Sequence, residues 1–182
     1  MAVLIDDALR EAIGAELDRI RPLSRSVAWV APPNLHLTLK FLGAVPMEVL
    51  ASVEDALAEA VEAVGPFTLA FHGLGAFPGL ARPRVLWVGV AEGVRECQTL
   101  AQRVEEGLGR LGLPRESRPY TPHLTIGRVR APGGLAPLQQ AITRDAHKAF
   151  GRLEVRALSL MRSDLHPGGA RYTELRAFPL KR

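Results

Sequence analysis

Histidine and threonine stand two residues apart twice in this chain, as His36-Leu37-Thr38-Leu39 and again as His123-Leu124-Thr125-Ile126. Successive side chains of an extended strand point to opposite faces. His36 and Thr38 therefore share one face, and Leu37 and Leu39 share the other. The second copy divides the same way. Each strand offers a polar, reactive face and an apolar face suited to a core. Imidazole titrates near neutrality, so of two histidines in one cleft, one can accept a proton while the other donates. Around a phosphodiester, one would deprotonate the nucleophile and the other would protonate the leaving oxygen. The threonine hydroxyls would donate to the non-bridging phosphate oxygens and stabilise charge there. A lone histidine on a strand is more often structural. Repetition of the polar face, and not only of the aliphatics, points to catalysis.

This scheme calls for no metal and no cofactor. Neither His36 nor His123 has a carboxylate or a second histidine at the spacing that metal ligands use. Arg128, five residues beyond His123, is close enough to add a cationic phosphate contact. Strict alternation turns it to the apolar face, however, unless Gly127 permits a bulge. Arg130 has the same parity as Arg128. Lys40 has the parity of His36 and Thr38 and reads either as a contact at the groove mouth or as an exposed strand-end lysine. Tyr120 and Phe41 border the two motifs, where either ring can stack on a base; Phe41 reads equally well as core. His72, His147 and His166 have no repeated partner and stay outside the mechanism. Gly73-Leu74-Gly75 lies between two strands and opens no helix, so it is not a dinucleotide fingerprint. No P-loop and no nucleotidyl-transfer lysine motif is visible, which argues against an ATP-driven enzyme.

The elements that must position these residues are themselves written twice. Leu9, Ile13, Leu17 and Ile20 make one apolar helix face behind Asp6-Asp7, which supply a cap and negative charge. Val94, Cys97, Ala101, Val104, Leu108 and Leu111 make a second, ending near Gly112. A short apolar strand precedes each helix, at residues 2–5 and 85–90. After each histidine strand come a turn region and another helix, expected over residues 46–64 and 135–147. Each of those gives way to a strand–loop–strand segment. One pairs residues 67–74 with 84–90; the other pairs 152–161 with 170–178 around His166-Pro167-Gly168-Gly169. The pattern predicts an α+β fold, internally duplicated. Two pseudo-symmetric lobes of antiparallel sheet would carry helices on their outer faces, with the active-site groove between them. Residues 1–182 read as a single two-lobed domain, with halves at approximately 1–90 and 91–182.

The totals are compatible with this. The 182 residues carry a formal net charge of +4, and all but three of the basic residues are arginine, the side chain suited to bidentate phosphate contacts. Cys97 is the only cysteine, so there is no disulfide framework and no cysteine metal site. The first residues form no signal peptide, and no apolar run approaches a membrane-spanning length. A cytoplasmic monomer with no membrane contact is expected.

Two His-x-Thr-x motifs at this separation, in a duplicated α+β chain of this size, resemble the two-histidine (2H) phosphoesterase superfamily. Within it the chain is most similar to the RNA 2',3'-cyclic phosphodiesterases, also called 2'-5' RNA ligases (the LigT/ThpR family). The segment Asn34-Leu35-His36-Leu37-Thr38-Leu39-Lys40-Phe41-Leu42-Gly43 resembles the first motif block of that family. Tyr120-Thr121-Pro122-His123-Leu124-Thr125-Ile126-Gly127-Arg128 resembles the second, and the spacing of Leu160, Ser163, Gly169 and Tyr172 resembles a later one. The first strand departs from the family by lacking an aromatic. The resemblance implies hydrolysis of a 2',3'-cyclic phosphate at an RNA 3' end to a 2'-phosphate, with reversible 2'-5' ligation of ends such as tRNA halves. His36 and His123 would be general acid and base in either order, with Thr38, Thr125 and Arg128 on the phosphate. Small cyclic nucleotides, ADP-ribose cyclic phosphate or 2'-5' oligonucleotides are alternative substrates of the same chemistry. A non-catalytic RNA-binding module is the alternative from another class.

Overall fold

The computed structural model describes residues 1–166 and 169–181. The turn expected at Pro167-Gly168 lies outside the described residues. The first strand, β1 (Ala2–Leu4), leads into helix α1 (Asp7–Ile20). The side chain of Asp6 accepts a hydrogen bond from the Leu9 N–H at 2.8 Å, which satisfies one of the donors a helix start leaves free. The predicted apolar face of α1 is buried throughout. Next come β2 (Val27–Trp29), β3 (His36–Thr38), α2 (Leu50–Glu62), β4 (Phe67–Phe77) and β5 (Val85–Glu92). Helix α3 (Val94–Arg110) closes with Gly112 at φ +78° and a bond from the Leu113 N–H to the Leu108 carbonyl, a glycine-terminated end that satisfies otherwise free carbonyls. Then follow β6 (His123–Val129), α4 (Ala136–Arg144), β7 (Ala149–Val155), β8 (Ala157–His166) and β9 (Gly169–Pro179).

Among the described residues the strands form one antiparallel sheet in the order β7-β4-β5-β6-β3-β1-β8-β9, with β2 also pairing with β6. The order is symmetric about its centre. Each motif strand is followed outward by the strand that precedes a long helix, β5 beside β6 and β1 beside β3. Residues 67–155 supply one side, whereas 1–38 together with 157–179 supply the other. The segment read as one strand over residues 152–161 breaks at Arg156 into β7 and β8. These go to opposite sides of the sheet, β7 to β4 and β8 to β1. No local pattern marks that parting, because both pieces alternate like strands.

The helices cover one face. Helix α1 packs on β7, α4 on β4, and α2 on α3, β8 and β9. Leu37 of β3 and Leu124 of β6 are fully buried on this side, as are Leu86 and Val88 of β5. Burying each such side chain contributes roughly 2 kcal/mol, enough to fix which face of the motif strands is turned away from the core.

Candidate active site

Strands β3 and β6 are direct neighbours, with Leu37 opposite Leu124. The antiparallel register continues from that pair, placing His36 across from Thr125 and Thr38 across from His123. Residues opposite each other share a face. The four polar side chains therefore form one compact quartet on the face away from the helices, all half-buried. The two motif strands meet side by side within one sheet, and the groove runs along their seam.

Each histidine is oriented by its own chain. His36 Nδ1 lies 2.8 Å from the Asn34 carbonyl oxygen, and His123 Nδ1 lies 2.7 Å from that of Thr121. A carbonyl only accepts, so Nδ1 carries the hydrogen in both rings, and Nε2 has no hydrogen-bond partner among the described residues. Asn34 is fixed in turn, its Nδ2 donating to the Ala170 carbonyl at 2.8 Å. Aromatic rings back both imidazoles edge-on. Tyr172 lies 4.8 Å from His36 and Phe77 lies 5.0 Å from His123, centroid to centroid. Trp87, opposite Thr125, packs against Phe77 at 5.2 Å. Its ring crosses Gly75, where a Cβ would fall 2.1 Å from the indole. Burial lowers the pKa of both histidines below the ordinary 6.5. The carbonyl bonds act in the opposite direction, while the amino-terminal charge at His36 and Arg128 at His123 add to the lowering.

Arg128 is the residue whose parity was in conflict. Thr125 faces Trp87 but Gly127 faces Leu86, so Ile126 is an extra residue in β6. One inserted residue reverses the alternation beyond it. Arg128, opposite both Val85 and Ala28, consequently lies on the face of His123 and Thr125. Its neighbours confirm the side: Trp29 and Val129 pack on the core, and Val27 belongs to it. Gly127 serves this kink by its small size, since a Cβ there would lie 2.7 Å from Val27 Cγ1.

The remaining candidates divide. Arg130 is exposed at the end of β6 and donates its N–H to the Ser26 carbonyl. Lys40 corrects the reading as a groove-mouth or exposed lysine. It is buried, with Nζ 2.6 Å from Glu105 Oε1 and 2.8 Å from the Pro114 carbonyl. Strand β3 ends at Thr38, so alternation no longer governs Lys40, and a buried ammonium takes the acceptors that compensate its lost hydration. Tyr120 is likewise no free stacking ring. Its hydroxyl donates to the Thr38 carbonyl at 3.0 Å and lies 3.7 Å from Cys97 Sγ. It ties the approach to the second motif to the strand of the first. Phe41 is 72% exposed on the loop after β3, so the core reading does not hold for it. Phe77 and Trp87 were missed because their strands touch the motif only through sheet pairing. Tyr172 had been noted as part of a pattern, without a role.

Tyr120→Phe is expected to lower stability by about 1 kcal/mol, one part-buried hydrogen bond, and to reduce turnover by less than tenfold. A thermal melt and a rate measurement check this. Abolished turnover in a normally folded variant would mean that the hydroxyl touches the reacting group.

Among the described residues no cluster of three or more His, Cys, Asp or Glu is placed to hold a metal ion, and no helix is long and apolar enough to cross a membrane. The model of the 2'-5' RNA ligase superfamily matches residues 9–167. A protein of Archaeoglobus fulgidus named RNA 2',3'-cyclic phosphodiesterase is 39% identical over 178 residues, covering 98% of this chain and 97% of its own. Its namesake in Methanothermobacter thermautotrophicus is 33% identical, covering 99% and 97%. Among solved structures, Escherichia coli LigT complexed with 3'-AMP superposes with a TM-score of 0.81 at 28% identity, covering 100% of this chain and 96% of that one.

Proposed function

This chain belongs to the 2'-5' RNA ligase superfamily, and on that premise we propose that it opens 2',3'-cyclic phosphates at RNA 3' ends, leaving a 2'-phosphate. The observation that carries the reading is the pair of imidazoles on adjacent strands, each with Nδ1 bound to a carbonyl and Nε2 unpartnered among the described residues. Two hydroxyls and the Arg128 guanidinium share their face. A cyclic phosphate seated over the seam would place one Nε2 behind an attacking water and the other beside the 3'-oxygen. The first imidazole takes a proton from the water as its oxygen bonds to phosphorus. The second donates a proton to the 3'-oxygen as that bond breaks. Thr38, Thr125 and Arg128 hold the non-bridging oxygens, where charge accumulates. An RNA 5'-hydroxyl in place of water gives a 2'-5' linkage by the same proton transfers, and the reverse path cleaves it. The scheme routes no step through a metal.

The test uses an RNA oligonucleotide ending in a 2',3'-cyclic phosphate, with and without a chelator, across pH. The base must be neutral and the acid protonated, so kcat/KM rises above the pKa of one and falls above that of the other. Both free-enzyme values lie below 6.5, and the bell for kcat/KM is expected to centre below pH 6.5. Bound phosphate raises both values by its negative charge, so the kcat profile lies at higher pH. Loss of activity in the chelator, or a kcat/KM optimum above pH 7.5, would contradict the scheme.

A further inference from the structure

Two long stretches of this chain contain no carboxylate: residues 63–91, between Glu62 and Glu92, and residues 117–144, between Glu116 and Asp145. They fold together. The first is β4 and nearly all of β5; the second is the approach to β6, β6 itself and α4. These strands are contiguous in the sheet, so one side of the groove, from the seam outward through β4, carries a single acid, Glu92 at the last position of β5, and that one is paired with Arg152. Arg82, Arg84, Arg128 and Arg130 on this side are exposed, and none forms an ion pair among the described residues. The opposite side carries carboxylates: Arg162 pairs with Asp164 at 2.9 Å and Arg176 with Glu54 at 2.5 Å, although Arg171 on β9 is likewise exposed and without an ion pair among the described residues. Arg82, Arg84 and Arg130 line one cleft of about 580 Å³. It lies beyond the far end of β5 and β6 and is walled on its other side by Leu135, Ala136 and Gln139 at the start of α4. It therefore opens around the strand ends toward the helix-covered face, where Arg84 stands opposite Val129. Arg128 is on the way to it from His123.

We propose that this acid-poor side is the track for the ribose–phosphate backbone of a single RNA strand, with Arg82, Arg84 and Arg130 holding phosphates upstream of the reacting end. The proposal rests on the RNA-end reading above and deepens it. Unpaired guanidiniums with no carboxylate beside them attract a polyanion and gain from counterion release. From Thr125 to Arg130 the strand spans about 15 Å at its usual rise, room for roughly two or three nucleotides. A cyclic mononucleotide over the histidines does not reach the cleft. Chain-length dependence is therefore the signature of the track, and it separates an RNA substrate from a small cyclic nucleotide.

The experiment compares kcat/KM for a cyclic mononucleotide with that for a tetranucleotide ending in a 2',3'-cyclic phosphate. The proteins are the parent, R82Q/R84Q and the charge-matched R103Q/R110Q on α3. The parent is expected to prefer the tetranucleotide. R82Q/R84Q should lose about tenfold of that preference, with the salt dependence of log(kcat/KM) shallower by about 0.7 for each phosphate contact removed. R103Q/R110Q should keep the preference. An unchanged length preference in R82Q/R84Q, or an equal loss on both substrates, overturns the track. A parent that turns over no cyclic phosphate at all would instead overturn the reading of function. Fluorescence anisotropy of a labelled tetranucleotide ending in a 2'-phosphate then reads the track by itself: weaker, less salt-sensitive binding in R82Q/R84Q supports it, and identical binding overturns it.

Discussion

Replacing either His36 or His123 by alanine is expected to lower single-turnover opening of an RNA 2',3'-cyclic phosphate by about a thousandfold, within the range for a positioned general acid or base. The two imidazoles occupy equivalent places, with Nδ1 fixed by a carbonyl two residues upstream and an aromatic edge behind each ring. In the proposed scheme neither takes over the other's work, because proton removal and proton delivery occur on opposite sides of the phosphorus. Under that scheme both act in one transition state, so the double variant should fall by much less than the product of the single effects. Either single variant turning over at near the parent rate would end the two-histidine scheme. A stability readout shows that the variants fold. Each histidine has a folded-state pKa below its unfolded value near 6.5, so the unfolded chain takes up the proton first as pH falls. The stability that each neutral ring supports is present above pH 6.5 and is lost as pH falls through the folded pKa. The alanine variants should lose less stability on acidification than the parent.

Arg128→Ala is expected to reduce kcat/KM by about a hundredfold, the scale for losing one strong donor to a charged transition state. It should also raise the pKa of His123, because the guanidinium is one cause of its lowering. A proton NMR titration of the imidazole reads the second effect independently of turnover. Arg128→Lys keeps the charge but loses the two-pronged geometry. It should hold the low pKa while recovering only part of the rate. If Arg128→Ala moves neither the rate nor the titration, the arginine does not serve the histidine face despite the register of β6.

The candidate site was legible in the sequence because a strand displays its side chains with period two. His-x-Thr with aliphatics between them defines a polar face and a core face, and the aliphatics found the core as expected, Leu37 and Leu124 at zero exposure. Helix faces were legible for a similar reason, since the Leu9-Ile13-Leu17-Ile20 stripe needs only a local period of 3.6. Lys40 and Tyr120 were misplaced because their roles depend on distant partners, Glu105 and Pro114 for one and Thr38 for the other. Local parity says nothing about such partners once the strand has ended.

The sequence alone determined the two His-x-Thr pairs, the face each pair shares and the repeated order of elements that brings two copies to one protein, because each follows from local periodicity and residue type. Only the tertiary structure decided that the motif strands are adjacent and in register, that β7 and β8 part to opposite sides of the sheet, and that Arg128 turns toward His123. The last depends on a single residue, Ile126, which β6 accommodates as a bulge against β5. A bulge is a property of two strands paired, and no single strand's alternation contains it.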